Sequence, residues 1–167
     1  MHCFRLVIAH ALTAALLLAL VSGCSSDDSK PEADTAGASA PTAPRTLTIE
    51  SPWIRPAPSG GNSALYMTLV NGTQAADTLK RVDFAVADTV EIHETYQKEG
   101  NMMGMRPIGP VPVSPKSRLS LEPGGRHVML LNLTEPLVAD STTSVTVTFA
   151  NAGSRRIQVP IRMRPPK

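Results

Sequence analysis

Residues 63–71 read SALYMTLVN, and the alternation of their side chains decides the fold. Leu65, Met67 and Leu69 fall on one face of an extended chain, because side chains two residues apart point the same way. The other face is also largely apolar and includes Tyr66. We therefore predict a β-strand here, and we expect Met67 to fill core volume.

The same alternation recurs in short segments along the rest of the chain. Fifteen prolines and eleven glycines supply turn residues, and motifs such as PSGGN, NGTQ and PGG separate the segments. Short strands at regular spacing with Gly and Pro turns are typical of an antiparallel sandwich or barrel. No helical period of convincing length is present. The other predicted strands are 47–49, 82–86, 90–94, 118–121, 127–133, 144–149 and 157–163.

Length and charge limit the function classes. The 167 residues suffice for one domain, with little room for a second. The formal net charge is only +2, and the chain has three Phe, two Tyr and one Trp. A nucleic-acid surface would need a basic stripe with stacking aromatics, so we expect no nucleic-acid partner. The tryptophan, Trp53, is expected to anchor the core from an early strand.

The N-terminus has the features of an export signal. Within residues 1–23, Arg5 precedes the apolar run 6–21. The boundary VSG-Cys24 resembles a bacterial lipobox, in which the cysteine is lipidated and becomes the new N-terminus. We expect a lipid on Cys24 to anchor the protein to a membrane without spanning it. An ordinary signal peptide with an incidental cysteine is the alternative.

The residues after the leader are predicted to be a flexible tether. Residues 24–45 begin with the cysteine, are rich in Ser, Ala, Pro, Asp and Thr, and contain no large apolar side chain. Such a composition cannot bury enough surface to fold. The folded domain is therefore expected at 46–167. An exported protein of this kind would lie in the periplasm or on the outer face of the cell membrane.

Soft metal ligands concentrate between His93 and Met129. His93 and His127 are the only histidines beyond the predicted leader. On a strand, His127 and Met129 share a face, so they offer an imidazole and a thioether as a pair. The alternation of Val90 and Ile92 turns His93 away from the apolar face of its own strand. Imidazole and thioether ligands together suit copper(I).

Three methionines lie between the two histidines. Two glycines bracket Met102 and Met103, and Met105 follows, which predicts a hairpin that places a methionine beside the histidine strands. The residues alone leave open which methionine this is. Methionines fill cores more often than they bind metals, and we expect Met163 to be core filler. For Met102 and Met103 we favour packing over a role at the metal.

The spacing of these residues resembles that of the PCuAC-type periplasmic copper chaperones. The family pattern is His, a variable residue, ten residues, Met, twenty-one residues and then His-x-Met. Here the pattern is filled by His93, Glu94, residues 95–104, Met105, residues 106–126 and His127-Val128-Met129. The stretches WIRPAP, ALYMTLVN, EIHET and LEPGGRHVMLLNL also resemble the family, so the similarity covers about residues 47–163.

The resemblance implies an all-β, cupredoxin-like Greek-key β-sandwich. It also implies a Cu(I) site whose ligands are His93, Met105, His127 and Met129. Glu94 stands where some members have Met, and we leave it out because its oxygen is a hard ligand. Met102 and Met103 lie outside the pattern and remain auxiliary candidates, which would shield the site or bind copper transiently.

For function, the resemblance implies a metallochaperone rather than an enzyme. It would carry copper toward cytochrome c oxidase assembly, with a Sco-type protein and an oxidase subunit as partners, and we expect a monomer. One alternative is copper scavenging or tolerance without a specific client. Another is an immunoglobulin-like surface or scaffold module in which the His and Met cluster is incidental. A blue-copper carrier is disfavoured, because it would need a cysteine ligand, and Cys24 is the only cysteine beyond the predicted leader.

Overall fold

The computed structural model describes residues 46–166 as ten β-strands joined by short turns. The predicted leader, Cys24 and the predicted tether lie outside the described residues. Within residues 46–166, no helix is long and apolar enough to cross a membrane. The strands are β1 Leu47–Ile54, β2 Ser63–Asn71, β3 Asp77–Asp83, β4 Ala87–Gln97, β5 Met103–Pro107, β6 Val111–Val113, β7 Ser117–Leu121, β8 Arg126–Leu133, β9 Thr142–Phe149 and β10 Ser154–Pro160.

The strands form two antiparallel sheets packed face to face. Sheet 1 has the order β1-β2-β8-β4-β5, with β7 also paired to β2, and sheet 2 has the order β10-β9-β3-β6. The chain crosses from sheet 1 to sheet 2 after β2, after β5 and after β8. This arrangement leaves β4 and β8 side by side inside sheet 1, while β5 forms one of its edges.

One hydrophobic core fills the space between the sheets. Leu65, Met67 and Leu69 of β2 are 0–2% exposed within it, so the predicted alternation and the core position of Met67 are confirmed. Val128 and Leu130 of β8 enter the same core. Because strand side chains alternate, the residues on either side of Val128 lie on the outer face of sheet 1.

A smaller buried cluster covers part of this outer face. Trp53 of β1 lies opposite Tyr66 of β2, and their ring centroids are 4.6 Å apart. Ala64 completes the cluster. Trp53 is buried as predicted, but it belongs to this outer cluster and not to the main core. The reason is its pairing with Tyr66, which fixes the face of the sheet from which it projects.

The predicted strand at 82–86 is correct only for Val82 and Asp83, which end β3, and is wrong for residues 84–86. β3 ends at Asp83, and a turn closed by the Ala87 N–H donating to the Phe84 carbonyl (3.3 Å) leads into β4. The apolar alternation at this point arises because Phe84 is buried in the core from the turn itself. A buried turn residue and a strand residue give the same local pattern.

The prediction that Met163 fills the core is also wrong. Its side chain is 71% exposed. β10 ends at Pro160, so Met163 follows the last strand and no sheet lies over it.

Candidate metal centre

Two neighbouring strands of sheet 1 bring predicted ligand residues together. His93 of β4 lies directly opposite His127 of β8. Met129 lies two residues further along β8, opposite Glu91. Residues that face each other across a pair, and residues two apart along a strand, share a face. Both imidazoles and the thioether therefore project from the outer face of sheet 1.

The β4–β5 hairpin adds a second thioether. Met105 of β5 lies opposite Thr95, which is two residues beyond His93 on the same face of β4. Met105, His127 and Met129 line one open cleft of about 380 Å³. Of the three methionines between the histidines, Met105 is the one that lines this cleft.

The two imidazoles are close enough to share one metal ion. Their ring centroids are 6.0 Å apart, and the ring planes are tilted by 52°. A metal ion lies about 2 Å from a bound imidazole nitrogen, hence roughly 3 Å from the ring centre, so two rings on one ion are up to about 6 Å apart. The observed separation lies at this upper limit.

Hydrogen bonds determine which nitrogen each histidine presents. His127 Nδ1 lies 3.1 Å from the Gly125 carbonyl oxygen, and His93 Nε2 lies 2.8 Å from Glu91 Oε2. A carbonyl and a carboxylate can only accept, so both of these nitrogens carry the proton. In a neutral imidazole the remaining nitrogen has a free lone pair. These are Nε2 of His127 and Nδ1 of His93.

His93 Nδ1 is buried and has no hydrogen-bond partner among the described residues. An unpaired buried polar atom costs about 1–3 kcal/mol. Burial without a hydrogen-bond partner is what a nitrogen with a metal-binding role would show. The donors gathered at this face are two imidazoles and two thioethers, a set that fits a soft metal ion.

Exposure increases from the histidines toward the edge of the sheet. His127 is 3% exposed, whereas Met105 on the edge strand is 61% exposed. Tyr66 of the outer cluster packs beside His127, with ring centroids 6.3 Å apart. The small side chain of Ala64 lies opposite Met129 and leaves room for its thioether. The imidazoles are thus held firmly, while one thioether remains accessible.

Two carboxylates flank His93 in sequence, and they lie on different faces of β4. Glu94 projects from the opposite face and pairs with Arg106, with Arg106 Nη2 at 2.6 Å from Glu94 Oε1. It is therefore not positioned beside the histidine rings. Glu91 contacts His93 directly, and the sequence reasoning missed it. The available signal was its position two residues before His93, on the same strand face.

The expectation that Met102 and Met103 are packed is wrong, since each is 63% exposed. Met103 begins β5, which is an edge strand, and Met102 immediately precedes it, so no further strand of sheet 1 pairs alongside them. Met103 pairs with Gln97 and shares the face of Met105. Met102 has extended backbone dihedrals and immediately precedes Met103, so its side chain leaves from the other face.

Other parts of the described chain offer no comparable centre. Within residues 46–166, no three or more His, Cys, Asp or Glu side chains are grouped to hold a metal ion. A larger cavity of about 570 Å³ beside Phe84 is lined by neither His nor Met. A metal site in this part of the protein would therefore depend on the thioethers.

Sequence comparison matches most of the described chain to one family. The family described as "Putative lipoprotein LpqE-like" matches residues 47–161. A protein of Leifsonia xyli subsp. xyli, named "Putative lipoprotein Lxx21020", is 29% identical over 114 residues. The match covers 68% of this chain and 68% of that protein.

Solved structures of PCuAC domains resemble this one. The "Copper-bound PCuAC domain from PmoF2" has a TM-score of 0.58 and 26% identity, and the match covers 71% of this chain and 94% of that chain. The "Apo PCuAC domain from PmoF1" has a TM-score of 0.59 and 26% identity, with 71% and 95% covered. The prediction of a cupredoxin-like Greek-key sandwich is confirmed, as is the resemblance to PCuAC domains at the level of the fold.

Proposed function

Because the chain belongs to the LpqE-like family, we propose that it is an exported, lipid-anchored metallochaperone that carries copper(I). The description of the family names lipoproteins, and Cys24 stands where a lipobox places the lipidated residue. A structural neighbour with 26% identity is named as copper-bound. A carrier of this kind performs no catalysis, and we propose no enzymatic role.

The ligands in this proposal are His93 Nδ1, His127 Nε2 and the sulfurs of Met105 and Met129. One observation carries it: His93 and His127 face each other across β4 and β8, and their strand neighbours place both thioethers on the same face.

Copper(I) fits this donor set better than zinc or copper(II). Thioether sulfur is soft and neutral, and it prefers Cu(I). Two imidazoles and two thioethers add no charge, so a monovalent ion brings only one positive charge into the site. Paired thiolates would bind more tightly, but they tend to be oxidised to disulfides outside the cytoplasm.

The exposed methionines of the hairpin have an auxiliary role in the proposal. Met103 lies on the face of the ligands and is 63% exposed, so it can contact copper as the ion enters or leaves. Met102 has the same exposure but leaves the opposite face, where it can shield the hairpin without reaching the ligands.

The proposed client is cytochrome c oxidase during its assembly, with a Sco-type protein as a second partner and the carrier acting as a monomer. This follows from the family resemblance. Copper scavenging or tolerance is the second candidate, because the same site would serve it equally well. A deletion strain separates them. Loss of a dedicated carrier lowers oxidase activity at ordinary copper concentrations, whereas loss of a scavenger lowers growth only at extreme copper concentrations.

Copper(I) titration against a colorimetric Cu(I) chelator tests the site, combined with X-ray absorption at the copper edge. We expect one Cu(I) per chain with both sulfur and nitrogen neighbours. His127→Ala and Met129→Leu should each weaken binding at least tenfold, which corresponds to about 1.4 kcal/mol. Met163→Leu is the matched control, because this exposed methionine lies outside the cleft.

A copper shell without sulfur would contradict the His and Met site. Failure of the folded domain to retain Cu(I) against the chelator would instead favour an immunoglobulin-like module in which the cluster is incidental.

A further inference from the structure

Glu91 contacts His93, although Glu91 is not one of the four proposed copper ligands. Both side chains project from the outer face of β4, and Glu91 Oε2 lies 2.8 Å from His93 Nε2. The His93 side chain is 12% exposed and that of Glu91 is 39% exposed. The carboxylate therefore lies at the solvent side of a largely buried ring.

This contact selects one of the two neutral forms of the ring. A carboxylate accepts a hydrogen bond only from a protonated nitrogen, so the proton stays on Nε2 and the lone pair stays on Nδ1. Nδ1 is the atom that is buried without a partner among the described residues. The opposite tautomer would place a lone pair on Nε2 against the carboxylate and an unpaired N–H in the interior.

We propose that Glu91 is a positioning residue that commits His93 to bind copper(I) through Nδ1. The inference rests on the proposed function. Carboxylates that accept a hydrogen bond from a metal-binding histidine fix its tautomer and ring orientation and raise the basicity of the ligand nitrogen. Glu91 itself stays outside the copper shell, because carboxylate oxygen is a hard donor.

The two histidines differ in how they are held. His127 is oriented by the Gly125 carbonyl, a main-chain group, and it presents Nε2. His93 is oriented by a side chain and presents Nδ1. One imidazole is therefore fixed by the turn before β8, while the other depends on a single replaceable carboxylate. Substitution of Glu91 should affect His93 and leave His127 unchanged.

The test compares Glu91→Ala, Glu91→Gln and Glu94→Ala. Nitrogen-15 NMR of the histidine rings, on the metal-free protein at alkaline pH, reports the tautomer directly. We expect the wild-type His93 to carry its proton on Nε2. Glu91→Ala should give a mixture of tautomers and weaken Cu(I) binding about 10- to 100-fold. Glu91→Gln should restore most of the Nε2–H tautomer and most of the Cu(I) affinity, because the amide oxygen still accepts a hydrogen bond from Nε2.

Glu94→Ala is the matched control, since this carboxylate adjoins His93 but lies on the opposite face. It should leave both the tautomer and Cu(I) binding unchanged. The inference is overturned if Glu91→Ala keeps a single Nε2–H tautomer, or keeps its Cu(I) affinity within twofold of wild type. It is also overturned if X-ray absorption shows a copper–oxygen neighbour that disappears in Glu91→Gln.

The NMR readout needs no copper, so failure of the proposed function can be told apart from failure of this inference. A wild-type protein that binds no Cu(I) contradicts the metallochaperone. A mixed tautomer of His93 in the wild type contradicts the role of Glu91.

Discussion

At the residue scale, the four proposed donors differ in how firmly they are held. His127 is almost fully buried and hydrogen-bonded to the main chain, whereas Met105 is largely exposed on an edge strand. A partner that approaches the cleft therefore meets a thioether before it meets an imidazole. Exchange of the accessible thioether for a ligand of the partner is a physically simple first step in handing over the ion.

A substitution at Met67 tests whether a buried methionine contributes to stability without contributing to copper binding. It is 2% exposed in the core between the sheets. Met67→Ala should destabilise the fold by about 2–5 kcal/mol, because it removes buried methylene groups and the sulfur and leaves a cavity. Urea denaturation measures this loss, and Cu(I) binding should be retained under conditions where the variant stays folded.

Met129→Ala is the corresponding control at the cleft. It should cost less stability than Met67→Ala but weaken Cu(I) binding strongly. If Met67→Ala abolished binding in a folded protein, the assignment of ligands would be wrong.

Asp77 gives the fold a defined acid sensitivity. Its carboxylate accepts hydrogen bonds from the backbone N–H groups of Thr78, Asn151 and Ala152 at 2.7–2.9 Å. Burial raises the pKa of Asp77, but these hydrogen bonds outweigh it, and the pKa lies below its usual value of 3.8. The carboxylate therefore stabilises the fold above pH 3.8, and this contribution is lost as the pH falls through the lowered pKa.

Asp77→Asn should accordingly be less stable than wild type near neutral pH. The difference in the free energy of unfolding should shrink as the pH falls from about 4 toward 2, because the wild-type carboxylate becomes protonated. Urea denaturation across this range measures it. A difference that does not change with pH would exclude the carboxylate as the stabilising group.

At the element scale, the turn between β7 and β8 supports the candidate centre. Gly124 has φ +81°, and the carbonyl of the next residue, Gly125, accepts hydrogen bonds from both Thr95 N–H and His127 Nδ1–H. Gly124→Ala should cost about 1–2 kcal/mol, because a side chain is strained in this conformation. It should also weaken Cu(I) binding by shifting the Gly125 carbonyl.

Gly153→Ala is the matched control for this turn. Gly153 has φ +74° in the β9–β10 turn, and at both glycines an added Cβ would meet nothing within 4 Å. The loss of stability should be similar, but Cu(I) binding should be unchanged. Equal effects of the two variants on Cu(I) binding would show that the turn before β8 has no special role.

The start of the edge strand β5 allows a second comparison, between two methionines of equal exposure. Met102 and Met103 are adjacent and equally exposed, but only Met103 shares the ligand face. Met103→Leu should slow transfer of Cu(I) from a chelate to the protein several-fold, whereas Met102→Leu should not, because leucine keeps the size and removes the sulfur. Stopped-flow kinetics measures the transfer, and equal rates for both variants would remove Met103 from the pathway.

At the scale of the whole molecule, the proposed tether connects a copper domain to a membrane. Cys24→Ser should move the protein from the membrane fraction to the soluble fraction, because the lipid attachment site is lost. Purified Cys24→Ser protein should bind Cu(I) like wild type, since the candidate centre lies far along the sequence from residue 24. Retention of the variant in the membrane fraction would contradict lipidation at this cysteine.

The sequence by itself determined which residues share a strand face. The common face of His127 and Met129, the outward direction of His93 and the core position of Met67 all follow from the two-residue period of a strand, which is a local property. Because this period is a local property, it also explains the wrong strand prediction at residues 84–86, where the buried turn residue Phe84 gives the same alternation as a strand. Exposure also depends on neighbours, which is why Met163 and the Met102–Met103 pair were misjudged.

Only the tertiary structure decided which strands are neighbours. The facing pair of His93 and His127 depends on the register of β4 against β8, and the outer cluster around Trp53 depends on that of β1 against β2. The contact that leaves His93 Nδ1 free appeared only with the side chains of β4 in place. Register and burial are set by pairings between distant segments, so the chemistry of the centre was visible in the chain, whereas its geometry was not.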